Sequence, residues 1–321
     1  GVGTLWLNTT SGELFNCSNA TTDNNVWINI GAGEGDIQLN HQGTLSGYSA
    51  GSAPASTAIE KWSFTSDANA TDVSDLTAVA LACCGAQSTT HGYVSGGNPS
   101  GPTGSETIER FVFATGANAI SVGTLTDKRS AIAGHSSFTH GYVSGGDNES
   151  TQSTNNGRNV IEKFAFASSG NGSDVGDLTT VKTSVSGVMS LTHGYIRGGR
   201  SPLLGGRNNV IEKFPFASDT NSSDVSDLVA AGSNFGFNGQ QSITHGYTTG
   251  GEGTGNGTRI QKHSFSSSAN ATSVGTLAVT NSTGAGASST THGYIGGGAG
   301  SNNIQKFSLS SDGNASNIAD M

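Results

Sequence analysis

Five of the eight histidines in this 321-residue chain lie in one recurring tripeptide, His-Gly-Tyr, which begins at His91, His140, His193, His245 and His292. Histidine is the side chain best suited to acid–base and metal chemistry near neutral pH. A catalytic or metal site needs one unique group of side chains, whereas a histidine in nearly every unit is explained by packing or a repeated hydrogen bond. No two of the others, His41, His135 and His263, have the spacing of metal ligands. We therefore predict structural roles for the repeated histidines, no metal site and no cofactor.

The tyrosines and cysteines form no catalytic pattern either. The three cysteines, Cys17, Cys83 and Cys84, make neither an even disulfide framework nor a Cys-x-x-Cys pair. The chain has no Gly-x-Ser-x-Gly elbow, no His-Glu-x-x-His motif and no phosphate-binding loop. All six tyrosines occupy one position of the repeat, namely Tyr48, Tyr93, Tyr142, Tyr195, Tyr247 and Tyr294. Because they recur with the repeat, we predict a structural role for them. We predict that the protein is not an enzyme and has no catalytic residues.

An Asp-x-Asn turn is the remaining candidate for metal chemistry, because clustered carboxylate and amide oxygens bind calcium. It occurs at 67–69, followed by Asp72, and again at 312–314. The equivalent segment 169–171 lacks the first acid, and 116–118 lacks both. Because the acids vary while the asparagine stays, the pattern favours a turn between two strands over a calcium site.

The charge of the chain excludes some classes of partner. The formal net charge is −9, which argues against nucleic acid or an anionic membrane surface as the main partner. No run of 18 apolar residues predicts membrane insertion.

The elements that carry these motifs are six copies of one unit, spaced 44 to 53 residues apart. The Tyr motif leads into a Gly-Gly pair, and a third segment ends at Leu76, Leu125, Leu178, Leu228, Leu277 and Met321. Between the Gly-Gly pair and this third segment, each copy has the motif Ile-Glu-Lys-aromatic or a variant of it, which begins at Ile59, Ile108, Ile161, Ile211, Ile260 and Ile304. Each copy reads as four short strands: a small Gly-rich one such as 130–137, then 140–144, then 160–167, and a short fourth strand centred on Val175 and Leu178. Four strands per unit of this length predict an all-β fold, a six-bladed β-propeller over residues 38–321.

The order of motifs in residues 38–321 resembles the kelch repeat: a basic residue, a small strand, a strand ending in Gly-Gly, a Glu-x-aromatic strand and a final turn, as in 129–178. Kelch units usually carry a tryptophan in the fourth strand, where this chain has Val73, Val122, Val175, Val225, Val274 and Ile318. Galactose oxidase is a kelch-type copper enzyme that uses tyrosine, histidine and a Cys–Tyr cross-link. No residues here match that copper site, so a copper enzyme is the weakest alternative.

Residues 1–37 differ from the repeats. The segment 3–15, followed by Val26-Trp27, resembles a short β-hairpin module of bacteriophage tail and fibre proteins. The recurring sequence motifs of the repeats are similar to those of propellers encoded by marine phages. The resemblance implies a structural protein at the virion surface, whose expected partners are a host cell-surface glycan, another virion protein or further copies of the same chain in a homo-oligomer. An extracellular, lectin-like propeller of a cell is the alternative.

The segments after each Gly-Gly pair vary most within the repeat, and function is often carried by such loops. They are 51–58, 98–107, 147–159, 200–209, 252–258 and 299–303. Six of the 14 Lys and Arg residues fill the Ile-Glu-Lys position, and seven of the other eight lie in or beside these loops. We expect a basic patch on the third and fourth units that binds an anionic partner, formed by Arg158, Lys182, Arg197, Arg200 and Arg207. A solvated charged rim without a ligand is the alternative.

Overall fold

The computed structural model describes residues 1–9, 13–22, 24–31, 42–51, 56–98, 104–148, 157–201, 203–204, 206–232, 238–251, 257–298 and 301–321. The chain folds into two compact units, Gly1–Asn40 and His41–Met321. The division lies three residues after the boundary expected from the sequence. The described residues contain 27 strands in seven small antiparallel sheets and no helix, which confirms the all-β class.

The N-terminal unit is a three-stranded antiparallel sheet, one strand more than a hairpin. Its strands are β1 (Leu5–Leu7), β2 (Leu14–Thr21) and β3 (Asn24–Gly31), in that spatial order. The ring of Trp6 on β1 lies 5.2 Å from that of Phe15 on β2.

Each repeat of the second unit forms one sheet, numbered here 1 to 6 in chain order. Sheet 1 has β4 (Ser46–Ala50), β5 (Ser56–Ser63) and β6 (Thr71–Ala80). Sheet 2 has β7 (Cys84–Gln87), β8 (His91–Ser95), β9 (Ser105–Val112) and β10 (Ile120–Arg129). Sheet 3 has β11 (Ala133–Ser136), β12 (His140–Ser144), β13 (Arg158–Ala165) and β14 (Ser173–Lys182).

The remaining three sheets repeat this plan with one addition. Sheet 4 has β15 (Ser186–Met189), β16 (His193–Arg197), β17 (Arg200–Ser201), β18 (Gly206–Pro215) and β19 (Ser223–Gly232), where β17 is an extra strand beside β18. Sheet 5 has β20 (Asn238–Gln241), β21 (His245–Thr249), β22 (Arg259–Ser264) and β23 (Thr272–Thr276). Sheet 6 has β24 (Ala285–Ser288), β25 (His292–Gly296), β26 (Asn303–Ser308) and β27 (Ser316–Asp320).

Two details of the predicted unit differ from the structure. The last strand was expected to be short, but in sheets 1 to 4 it is ten residues long, and it is irregularly paired with the strand before it. It extends because its second half also supplies contacts to the following repeat. Sheet 1 has three strands in the described residues, and the segment in which its first strand was expected lies partly outside them.

The first strands of sheets 2 to 6 stack side by side in chain order. A Cβ atom built on Gly187 of β15 would collide with the carbonyl oxygen of Gly134 on β11. One built on Gly239 of β20 would collide with the carbonyl oxygen of Gly187. Only glycine lets two backbones approach so closely. The small first strand of each repeat therefore brings equivalent residues of neighbouring sheets together.

Aromatic side chains fill the space between sheets. Tyr93 of sheet 2 stacks on Phe166 of sheet 3 with ring centroids 4.7 Å apart, and its hydroxyl donates to the Phe166 carbonyl at 3.3 Å. The same hydrogen bond to the following sheet is made by Tyr48, Tyr142, Tyr195 and Tyr247. The structural role predicted for these five tyrosines is confirmed.

The asparagine of the Asp-x-Asn turn also joins consecutive repeats. Asn171 Oδ1 accepts a hydrogen bond from the backbone nitrogen of Thr124 at 3.1 Å. Equivalent bonds are accepted by Asn69, Asn118, Asn221, Asn270 and Asn314. For Asn69 in the first repeat the donor is the backbone nitrogen of Asp320 in the last, at 3.2 Å. The predicted turn is confirmed, and its conserved oxygen is used between sheets.

The first acid of each Asp-x-Asn turn is paired with a lysine of another repeat. Lys262 Nζ lies 2.5 Å from Asp312 Oδ1, and Lys306 Nζ lies 2.6 Å from Asp67 Oδ1. Lys163 makes the equivalent contact with Asp219. These pairs account for the acids as links between repeats.

Candidate functional site

The five cations predicted to form one basic patch separate into a buried and a surface group. Lys182 ends β14 and Arg197 ends β16, and both side chains are completely buried. Arg158 and Arg200 are partly exposed, and Arg207 is exposed. A solvent-facing patch of all five is therefore wrong.

Lys182 is buried because it has a counter-charge in the next sheet. Its ammonium pairs with the carboxylate of Glu212, the glutamate of the Ile-Glu-Lys motif, and both side chains are inaccessible to solvent. Burial by itself would raise the pKa of Glu212, but the Lys182 charge and hydrogen bonds from Ser222 and Thr179 outweigh it and lower that pKa. Arg129 and Glu162 form the same ion pair one repeat earlier. Lys182 is thus a structural cation.

Arg197 is buried in a different way. Its Nη2 donates to Ser186 Oγ at 2.8 Å, and no carboxylate in the described residues forms an ion pair with it. Burial lowers the pKa of Arg197 to about 9, so the group still carries a positive charge at neutral pH.

Two members of the surface group, Arg200 and Arg207, belong to the only Gly-Gly loop that forms a hairpin in the described residues. Arg200 on β17 and Arg207 on β18 are directly opposite each other. Between them the turn exposes Leu203 by 73% and Leu204 by 41%. Arg158 on β13 of the neighbouring sheet contacts Asp127 Oδ2 at 2.8 Å through Nη2, so an acid already shares part of its charge. The anion-binding role of these three arginines stays a prediction.

A second surface feature was missed by the sequence reasoning. The turns that join the first and second strands of sheets 3, 4 and 5 carry Phe138, Leu191 and Ile243, which are 45%, 39% and 62% exposed. Sheets 2 and 6 have Thr89 and Thr290 at this position. Because the first strands stack in register, these turns lie next to one another, and we call the three apolar residues the apolar tip row. The signal that could have found it was an apolar residue in a position that the repeat otherwise gives to threonine.

The apolar tip row and the hairpin lie at opposite ends of the sheets. Leu191 lies two residues before the start of β16, whereas Arg200 follows the end of that strand. The five repeated histidines begin the second strands, on the side of the tip row. In each, Nδ1 hydrogen-bonds the hydroxyl of the preceding threonine at 2.7 or 2.8 Å. Of the two structural explanations offered for these histidines, packing or a repeated hydrogen bond, the structure shows the hydrogen bond.

Two other histidines lie inside the second unit. His135 Nδ1 lies 3.1 Å from the Val188 carbonyl oxygen, and its Nε2 lies 3.0 Å from Ser144 Oγ. Burial lowers the pKa of His135 to about 4, against the effect of the Val188 hydrogen bond and together with the charge of Arg197. His263 is also buried. Its burial, and to a smaller extent the charge of Arg197, holds the pKa of His263 well below the ordinary value. In the described part of the chain, no three His, Cys, Asp or Glu side chains are grouped so as to hold a metal ion.

No family model and no curated protein matches this chain. Among solved structures it is similar to the structure of YjhT, with a TM-score of 0.65 and 14% sequence identity over 80% of this chain and 89% of that one. At this identity the similarity concerns the fold alone, and it agrees with a propeller-like arrangement of small antiparallel sheets. No helix long and apolar enough to cross a membrane occurs among the described residues.

Proposed function

We propose that the second unit is a closed, six-bladed, kelch-like β-propeller that acts as a non-enzymatic structural protein at a phage virion surface and docks to another virion protein. The observation that carries the docking role is the apolar tip row of Phe138, Leu191 and Ile243. The resemblance of residues 1–37 to phage fibre modules supports the virion setting.

Contacts between the last and first repeats support the closed ring. Asp320 bonds with Asn69 and Ala70, as Thr124 bonds with Asn171 and Gly172 between sheets 2 and 3. Gly43 donates its backbone nitrogen to Ser288 of β24 at 2.8 Å. In a closed ring all six repeats would have two neighbours, and the equivalent bonds would recur six times.

The apolar tip row supports docking to a protein for an energetic reason. Phe138, Leu191 and Ile243 are contributed by three consecutive repeats, and covering adjacent apolar side chains is favourable. Side chains that the remaining described repeats replace by threonine are not needed for the fold. Clustered exposed apolar residues mark interaction sites more often than single ones.

The docking role is tested by replacing each residue of the apolar tip row with threonine, the residue that sheets 2 and 6 have at this position. The variant Phe138→Thr/Leu191→Thr/Ile243→Thr should fold with an unchanged circular dichroism spectrum and lose incorporation into virions at least about tenfold, which corresponds to about 1.4 kcal/mol. Immunoblots of purified particles measure this. The control Leu203→Thr/Leu204→Thr removes exposed apolar residues from the opposite end and should be incorporated normally. Equal incorporation of both variants would show that the row does not dock.

The hairpin of sheet 4 favours a second candidate function, binding of an anionic host-surface glycan. Its opposed Arg200 and Arg207 supply planar donors that suit carboxylates and sulfates, and Arg158 supplies another on the preceding repeat. A glycan array should show binding to acidic glycans that is lost in Arg158→Ser/Arg200→Ser/Arg207→Ser. Binding that survives this triple substitution would exclude the three arginines as the site.

A further inference from the structure

One interface of the second unit breaks the repeat at several buried positions at once. The substituted residues are all polar and belong to sheets 4 and 5. On β16, Arg197 stands where sheets 2 and 3 have Ser95 and Ser144. On β21, Thr248 stands where sheets 2, 3, 4 and 6 have Val94, Val143, Ile196 and Ile295. On β22, Gln261 replaces the glutamate of the preceding repeats, and His263 replaces the aromatic residue Trp62, Phe111, Phe164, Phe214 or Phe307.

The strand register brings these side chains to one face of sheet 5. Gly239 pairs with Thr248, and Thr248 pairs with Gln261, so the three positions are directly opposed and share a face. His263 lies two residues after Gln261 on the same strand and therefore points the same way. The ring of His263 lies 5.5 Å from that of Tyr195 on β16, which shows that this face meets sheet 4.

Arg197 points at the same face from sheet 4. Its Nη2 lies 3.0 Å from the position that a Cβ atom on Gly239 would occupy. The absence of a side chain on Gly239 is what leaves space for the guanidinium group. Gln261 also faces sheet 4, because its Oε1 accepts a hydrogen bond from the backbone nitrogen of Val229 at 2.7 Å.

All four side chains have hydrogen-bond donor atoms that are not bonded to any acceptor of the described residues. Arg197 Nε and Nη1, Thr248 Oγ1, Gln261 Nε2 and His263 Nε2 are buried and have no hydrogen-bond partner in the part of the chain that the structure describes. None of these residues is more than 3% exposed. Arg197 and Gln261 nitrogens only donate, and the hydroxyl and a neutral imidazole can donate through the named atoms. Leaving one such group unsatisfied is unfavourable, and several in one interface call for a shared acceptor.

The charges lead to the same conclusion. In sheets 3 and 4 the glutamates Glu162 and Glu212 meet a buried cation, Arg129 or Lys182. At the interface of sheets 4 and 5 a buried cation, Arg197, is present, but the glutamate has become the neutral Gln261. A buried ion without a counter-ion is strongly disfavoured. The interface therefore has one positive charge and converging donors, and it lacks one negative charge.

We propose that the interface of sheets 4 and 5 binds one small monovalent inorganic anion, of the size of chloride, held by Arg197, Thr248, Gln261 and His263. The ion supplies the negative charge that the Glu212 carboxylate supplies one repeat earlier. A single guanidinium charge matches a monovalent anion, and enclosure by four side chains matches a monatomic one. The ion is then a structural component of the unit, bound whatever the partner of the outer surface is.

Thermal unfolding of the whole chain in sodium chloride and in sodium gluconate at equal ionic strength tests this proposal. Chloride stabilises the folded state that binds it. A chloride concentration of about ten times its Kd should raise Tm by about 3 °C relative to gluconate. Crystals grown in sodium bromide should show an anomalous peak beside Arg197. Equal Tm values together with no bromide peak would overturn the proposal and indicate water at the interface.

Variants assign the ion to this interface. Gln261→Glu restores the internal carboxylate and should abolish the difference between chloride and gluconate. The matched control Gln305→Glu makes the same change in sheet 6, where Gln305 Nε2 already donates to the Val279 carbonyl at 3.1 Å, and should keep the difference. Arg197→Ser introduces the residue of sheets 2 and 3 and should remove both the chloride effect and the bromide peak. A chloride effect that persists in Gln261→Glu, or in Arg197→Ser if it folds, would contradict the assignment.

Discussion

Thr179 of sheet 3 donates two hydrogen bonds to the buried carboxylate of Glu212 in sheet 4, from its backbone nitrogen at 2.9 Å and from its hydroxyl at 2.7 Å. Thr126 and Glu162 make the same pair of bonds one repeat earlier, and Thr77 and Glu109 one repeat before that. The glutamate of the Ile-Glu-Lys motif therefore joins its own sheet to the preceding one.

Removing the charge of Glu212 should destabilise the second unit substantially. Glu212→Gln leaves the ammonium of Lys182 buried without a counter-charge, and we expect the free energy of unfolding to fall by about 3 kcal/mol. Urea unfolding measures the change. The double variant Lys182→Met/Glu212→Gln removes both charges and should be more stable than Glu212→Gln alone. A double variant less stable than the single one would show that the ion pair is not the cause.

His135 should make the stability of the protein depend on pH in the weakly acidic range. Its pKa is about 4 in the folded protein and about 6.5 when unfolded, so the unfolded chain takes up the proton first as the pH falls. The contribution of neutral His135 is complete above pH 6.5 and is lost between pH 6.5 and pH 4, with a total of about 3 kcal/mol. His135→Gln should flatten the plot of unfolding free energy against pH in this window. An unchanged slope would exclude His135, and NMR titration of its ring gives an independent pKa.

Because the first strands lie so close together, adding one methyl group to a glycine between them should strongly destabilise the second unit. Gly187→Ala places a Cβ atom against the Gly134 carbonyl oxygen and 2.9 Å from His135 Cε1, so the backbones must separate. We expect a loss of about 3 kcal/mol in thermal or urea unfolding. Gly170→Ala is the matched control, because nothing lies within 4 Å of its Cβ position, and it should be nearly neutral. Similar Tm values for the two variants would contradict the packing of β11 against β15.

The bonds made by the turn asparagines provide a test of ring closure. Asn171→Ala removes the bond from Thr124 and should cost about 1 kcal/mol. Asn69→Ala removes the equivalent bond from Asp320, and in a closed ring it should cost about the same. The two variants are compared by urea unfolding. A ring that is open between the first and last repeats would instead leave Asn69→Ala as stable as the unsubstituted protein.

Much of the fold was predictable because the same contact recurs in every repeat. The tyrosines, the repeated histidines and the turn asparagines each keep one residue type at one position, and each makes one hydrogen bond again and again. The length of the fourth strand was harder to predict. Its second half, such as Thr179 to Lys182, has no strong alternation and is held by contacts to the next sheet.

The candidate sites were less predictable, since closeness along the chain did not indicate which side chains share a surface. Lys182 and Arg197 were grouped with Arg200 and Arg207 because all lie near loops. Strand register turns Lys182 and Arg197 into the interior, and a one-residue shift of register would have reversed their direction. The apolar tip row needed the stacking of first strands to bring three distant turns together.

The sequence by itself determined the number of repeats, the all-β class and the structural use of nearly every repeated residue, because local pattern and repetition are written directly in it. The tertiary structure decided which of the non-repeated residues face water and which face another sheet. That outcome depends on packing between neighbouring sheets, whose equivalent residues lie about 50 residues apart along the chain. Arg197, predicted to lie on the surface, is buried opposite Gly239. Its charge and the unpaired donors of three other side chains lie in one interface, where no carboxylate of the described residues balances them.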